Sequence, residues 1–288
     1  ELSRDNFRHP FKEHLTVSPL IQMDDKGEEK MGKAANSSIS LKQIHVTDNF
    51  WNKYVHLVKD VIIPYQWDIL NDKLEDVETS HCIENFKIAA GEKEGEFQGA
   101  VFQDTDVAKW LEAVGFVLNY ERDEKLEELA DETIELIGRA QQPDGYLNTY
   151  FTIKEPDGRW SNLMEGHELY TAGHMIEAAV AYYEATGKRR FLEIVSKFAD
   201  LVCQTFGPEE GKIHGYPGHQ EIELALVKLY RVTREKKYLD LAKYFIDLRG
   251  TGKNYFLEEE KRPGHKRIFP DFVNYDTCLL YTSDAADE

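Results

Sequence analysis

The strongest constraint on the fold is a two-helix unit that recurs three times after residue 105. Its copies are "DVAKWLEAVGFVLNYERDEKLEELADETIELIGRAQ", "HELYTAGHMIEAAVAYYEATGKRRFLEIVSKFADLVCQTF" and "QEIELALVKLYRVTREKKYLDLAKYFIDLRG". Each is an apolar-rich helix ending near a tyrosine (Tyr120, Tyr183, Tyr230), then a polar turn, then a charged helix with Leu and Ile at helical spacing. The first helix of each pair is apolar nearly all round, which predicts burial on every side. The second is two-faced, which predicts an outer position. Stacked inner/outer hairpins make either an open solenoid or a closed ring. Long links rich in Gly, Pro and aromatics, "QQPDGYLNTYFTIKEPDGRWSNLMEG" and "GPEEGKIHGYPG", favour the ring, because solenoid links are short and regular. The expected fold class is all-α: an incomplete (α/α)6 toroid of helical hairpins with a short N-terminal strand or tail.

That strand is read from the alternation in "SISLKQIHV". After it, Thr47 or Asp48 is placed to cap a helix carrying Phe50, Trp51, Val55, Val58, Val61 and Ile62. Residues 1–43 are polar and aperiodic and read as a tail or linker. Residues 44–272 read as the helical domain, part of the (α/α)6 toroid. Residues 273–288, ending "CLLYTSDAADE", read as a non-native tail that resembles translated sequencing adaptor. That ending is expected to mark a truncated reading frame, and because the chain begins at Glu1 rather than Met its true start is expected to be missing.

Composition removes several function classes. A formal net charge of −18 argues against a nucleic-acid partner, which needs clustered Lys and Arg. No apolar run reaches the ~20 residues of a membrane span. Three scattered cysteines, Cys82, Cys203 and Cys278, fit free thiols in a reducing compartment, so a cytoplasmic location is favoured without being fixed. Oligomeric state is not legible.

The long links should gather at the end of the ring where the inner helices begin. That mouth collects Gln103, Asp104 and Asp106, then Glu165, His167 and Glu168, then His214, His219, Gln220 and Glu221. Asp104, Thr105 and Asp106 also suit N-capping, and His174, two turns beyond His167, reads as a hydrogen-bonded core histidine. His167 and His219 each follow a glycine at the same point of the unit, with a carboxylate close behind. Such groups suit the paired donors and acceptors of sugar hydroxyls. No complete catalytic set appears: "HELYTAGH" spaces its histidines too far for a zincin, and nothing fixes a carboxylate pair. Catalytic and metal-ligating residues are therefore both read as none.

Six stretches, "VTDNFWNKYVHLVKDVIIPYQWDILND", "NFKIAAG", "EFQGAVFQDTDVAKWLEAVGF", "AQQPDGYLNTYF", "GHELYTAGHMIEAAVAYYEATG" and "FGPEEGKIHGYPGHQEIELALVKLY", together resemble glycoside hydrolase family 127, the β-L-arabinofuranosidase family. The resemblance runs from about Ile44 to Gly250. It implies an (α/α)6 barrel and a retaining exo-glycosidase that releases terminal β-L-arabinofuranosyl groups, with a zinc-bound cysteine as nucleophile and a glutamate as acid/base. It places the sugar-contacting histidines on His167 and His219 and leaves His214 to shape its loop. The zinc ligands and catalytic groups are expected beyond this chain, so the chain alone is expected to be inactive. The loop from Trp67 to His81 is shorter than in the characterised type. The alternatives are another (α/α)6 sugar enzyme, an epimerase or an unsaturated uronyl hydrolase, or a non-catalytic helical-repeat scaffold.

Overall fold

A computed structural model describes residues 39–251, 254–262 and 265–269. The chain divides at Ser40, and every element belongs to the unit that follows it. Residues 1–38 of the tail expected over 1–43, and the non-native end expected over 273–288, lie outside the described residues.

The helices are α1 (Asn49–Leu57), α2 (Ile63–Leu70), α3 (Cys82–Ala89), α4 (Asp104–Tyr120), α5 (Glu124–Ala140), α6 (Thr149–Ile153), α7 (Glu168–Thr186), α8 (Arg190–Thr205), α9 (Ile222–Thr233), α10 (Lys236–Arg249) and α11 (Tyr255–Glu259). A π-helical turn, Val58–Ile62, joins α1 to α2. Asp48 starts this first helix by accepting the amides of Phe50 and Trp51 at 3.0 and 2.8 Å. Asp123 starts α5 through the amide of Leu126. Gly187, at φ 75°, stops α7 in the left-handed conformation that glycine adopts without strain.

Two concentric rows result. Among inner helices α2 packs on α4, α4 on α7 and α7 on α9; among outer helices α3 lies on α5, α5 on α8 and α8 on α10. Burial follows the sequence asymmetry: α7 buries 13 of its 19 residues, while α5 buries only 6 of 17. The inner helices approach closely through glycine. A Cβ on Gly115 would stand 2.9 Å from the backbone of Ala181 and Tyr182 in α7, and one on Gly173 would stand 3.0 Å from the amide of Ile222. Tyrosine hydroxyls tie the rows together: Tyr182 donates to Asp131 and Tyr238 to Asp200, both at 2.7 Å. No helix among the described residues is long and apolar enough to cross a membrane.

Two expectations are corrected. The N-terminal strand does not form: Leu41–Gln43 is a 3-10 turn, and the described residues hold no strand beyond the isolated bridge Phe206–Ile213. A single strand without a partner has no ladder for its amides, so the alternating Leu41, Ile44 and Val46 instead line an apolar groove with α1 and α4. The acidic residues at the start of α4 do not cap it. Gln103 occupies the cap position without a side-chain cap bond, Asp104 turns to Thr149, and Asp106 accepts from the Gln103 carboxamide.

The groove measures about 650 Å³, and beside it Phe50, Trp51, Tyr54, Val61 and Tyr65 stand between 44% and 61% exposed. So continuous an apolar face drives association in water. The chain expressed by itself is expected to self-associate, and light scattering after gel filtration should show species heavier than 33.4 kDa. A clean monomer would refute this. Gly115→Ala should cost about 1–3 kcal/mol by overpacking, lowering Tm by several degrees; an unchanged melting curve would show that α4 and α7 separate freely.

Candidate functional site

The mouth is built where the loops before α7 and α9 meet. The amide of Gly218 donates to the carbonyl of Leu163 at 3.0 Å, tying the loop that carries His219 to the loop that carries His167. His167 occupies the cap position of α7 at φ 55°, an uncommon conformation for a residue with a Cβ. The consequence is close contact: the two Nε2 atoms stand 3.1 Å apart, and the half-buried rings lie 4.9 Å between centroids.

The hydrogen-bond network assigns the tautomers. Burial, followed by the neighbouring charges of His219 and Lys109, lowers the His167 pKa to about 4 against the pull of the Glu165 carbonyl. Burial and then Arg249 lower that of His219. Both rings are therefore neutral at pH 7. His167 Nδ1 faces the Glu165 carbonyl at 2.5 Å and must carry the proton, because a carbonyl only accepts. Its Nε2 is then bare, and His219 Nε2–H donates to it. The pair presents one acceptor and one donor side by side.

Around it, Phe102 packs on the His167 ring at 5.0 Å, and Tyr170 touches both imidazoles, at 5.7 Å from His167 and 5.3 Å from His219. Lys109 Nζ donates to the Tyr170 hydroxyl at 3.2 Å. Lys109 also lines a cleft of about 770 Å³ with Gln66, Glu78, Ser80, Gln103 and Asp106. The loop of residues 71–81 supplies one wall, held because Asp72 accepts the amides of Ser80 and His81 at 2.7 and 3.0 Å.

The other residues expected at the mouth divide. Gln103 and Asp106 line the cleft. Asp104 is buried, accepts both amide and hydroxyl of Thr149, and burial raises its pKa to about 6. Glu168 turns behind the mouth, accepting the Tyr146 hydroxyl and the amide of Trp160, and burial raises its pKa to about 8. Glu165 is also turned inward, 2% exposed. His214 is exposed and faces the Glu209 carbonyl at 3.2 Å within its own loop. Gln220 is exposed. His174 has no hydrogen bond on either ring nitrogen, though its Nδ1 lies 3.3 Å from a Glu221 carboxylate oxygen. Lys109 and Tyr170 escaped the sequence reading. Each lies three residues beyond a named mouth residue, Asp106 and His167, and helical spacing alone would have found them.

One group among the described residues has metal-ligand spacing: donor atoms of Glu112, His174 and Glu177 all lie within 4.8 Å of one another. Lys228 Nζ already lies 2.5 Å from Glu177 there. A zinc thiolate site does not fit these residues. Cys82 is buried with its thiol directed to the Gln103 carbonyl and its pKa pushed far up by burial. Burial pushes Cys203 up to about 11. Cys278 lies outside the described residues.

Comparison with known proteins identifies the family of the fold. Residues 43–287 match the family model of the beta-L-arabinofuranosidase GH127 catalytic domain. A non-reducing end beta-L-arabinofuranosidase from Bifidobacterium longum subsp. longum is 44% identical over 248 residues, covering 81% of this chain and 38% of the relative. The crystal structure of Ara127N-Se, a GH127 beta-L-arabinofuranosidase from Geobacillus stearothermophilus T6, is similar at TM-score 0.76 and 61% identity over 78% of this chain and 36% of that one. A GH127 beta-arabinofuranosidase, BT3674, is similar at TM-score 0.69 and 39% identity, over 75% of this chain and 34% of that one. The chain thus spans between 34% and 38% of the length of these relatives. With its hairpin architecture and a family match over most of its length, this chain belongs to the GH127 beta-L-arabinofuranosidase catalytic-domain family.

Proposed function

We propose that this chain is the N-terminal, sugar-cradling part of a retaining exo-glycosidase that releases terminal β-L-arabinofuranosyl groups from glycans or glycoconjugates. The observation that carries the reading is the neutral His167–His219 pair, one ring nitrogen bare and its neighbour protonated, 3.1 Å apart. A sugar hydroxyl is both donor and acceptor. Entering between the rings, it donates to Nε2 of His167 and accepts from Nε2–H of His219, replacing the bond the rings make to each other. The cleft beside them offers carboxamide, hydroxyl, ammonium and carboxylate groups to the remaining hydroxyls.

The chain supplies binding and orientation. Neither described thiol serves as a nucleophile, since both are held protonated by burial. The zinc, its thiolate ligands and the acid/base glutamate are assigned to residues outside this chain. When bound, such a zinc lowers the pKa of a cysteine nucleophile.

Removing one partner of a hydroxyl hydrogen bond costs about 1–3 kcal/mol. His167→Ala and His219→Ala in the full-length protein should therefore each raise KM for an aryl β-L-arabinofuranoside roughly 10–100-fold, with a smaller effect on kcat. Unchanged KM in both variants would sink the cradle. The 288-residue chain alone should release no arabinose from the same substrate, and measurable turnover would overturn the assignment of the catalytic groups.

A further inference from the structure

The Glu165 side chain makes no contact with the cleft, yet it is the most heavily hydrogen-bonded carboxylate near His167. It lies in the turn that carries that residue, and the segment it grips is about a hundred residues away in sequence. Its Oε1 accepts from Arg267 Nε at 2.6 Å. Its Oε2 accepts from the amides of Ile268 at 2.6 Å and Phe269 at 3.3 Å, and from Asn162 Nδ2 at 3.1 Å. Asn162 binds the same segment through the Lys266 carbonyl at 2.9 Å, and its Oδ1 accepts the Glu165 amide. Phe269 closes the arrangement, its ring perpendicular to the His167 imidazole at 6.2 Å. The backbone carbonyl of Glu165 is the group that holds the His167 proton on Nδ1.

We infer that Glu165 is a positioning residue for the sugar site: its carboxylate straps residues 266–269 over the outer side of His167, and the same residue's carbonyl sets that imidazole's tautomer. This rests on the reading of His167 and His219 as the cradle. A charged acceptor is needed because the strap offers an Arg and two backbone amides together, and one carboxylate satisfies all of them where a neutral side chain of equal size cannot. Although burial opposes ionisation, these bonds hold the Glu165 carboxyl below the usual carboxylate range. The strap also helps keep His167 desolvated. The charged or titratable groups around that ring are His219 from the α9 side, Lys109 from α4, Tyr170 from α7, Glu165 from its own loop and Arg267 from the strap.

The experiment compares Glu165→Gln, Arg267→Met and His167→Ala in the full-length protein. The readouts are aryl β-L-arabinofuranoside hydrolysis, and L-arabinose binding followed as pH is lowered. Misplacing a binding group by about 1 Å costs on the order of 100-fold. Glu165→Gln should therefore lower kcat/KM roughly 10–100-fold, with Arg267→Met in the same direction and smaller. In Arg267→Met, which keeps the Glu165 charge, the acid limb of arabinose binding should move up from about pH 4 toward the ordinary histidine value, because releasing the strap hydrates His167. In Glu165→Gln the rise should be smaller, because that variant also removes a carboxylate charge that raises the His167 pKa. Reduced activity with an unmoved limb would mean that Glu165 only supports the scaffold, and would overturn the inference. If Glu165→Gln does not fold, Arg267→Met decides alone by the same limb. If His167→Ala is crippled while the other two match wild type, the positioning role falls and the cradle stands; a fully active His167→Ala overturns both.

Discussion

The site depends on buried carboxylates that accept backbone amides. Long loops packed inside a protein carry N–H groups that water cannot reach, and each must find an acceptor. Acidic side chains near the ends of helices meet that demand. Asp104 takes Thr149 and Glu168 takes Trp160, and the half-buried Asp72 takes Ser80 and His81 in the same way. Glu259 takes Leu163 and Met164, while Glu165 takes Ile268 and Phe269. Without these bonds the loop from Trp160 to His167 would have no fixed path, and neither would the imidazole at its end. The acidity of the chain is thus partly internal and structural.

A second constraint is the spacing of the inner helices. Gly115 and Gly173 let α4, α7 and α9 lie against each other at distances that a Cβ would prevent. That approach, with the bond from Gly218 to Leu163, brings two loops 52 residues apart into register at one mouth. The histidine pair is a product of helix packing before it is a product of chemistry. The hydroxyl tethers of Tyr182 and Tyr238 hold the outer helices to the same geometry from behind.

Much of this was legible in the residues. The hairpin repeat, the inner and outer roles and the ends of the main helices follow from hydrophobic period and polar turns, which act locally. The strand expected over "SISLKQIHV" failed because alternation specifies a strand only where a second strand pairs with it, and here the apolar positions met helices instead. Capping by Asp104 failed for a similar reason, since its carboxylate is taken by Thr149, 45 residues away, whereas Asp106 accepts from the carboxamide of its neighbour Gln103. Local signals are overridden when a distant group offers a buried bond.

By itself the sequence determined the all-helical class, the pairing of helices into hairpins, and the placing of His167 and His219 just ahead of two inner helices. These are consequences of periodicity and of glycine and proline at chain reversals. Only the tertiary structure decided that the two imidazoles touch, that both are neutral, and which nitrogen of each carries the proton. Only it turned Glu165 and Glu168, neighbours of His167 in sequence, away from the mouth toward Arg267 and Tyr146. Those outcomes depend on burial and on hydrogen bonds between residues far apart in the chain.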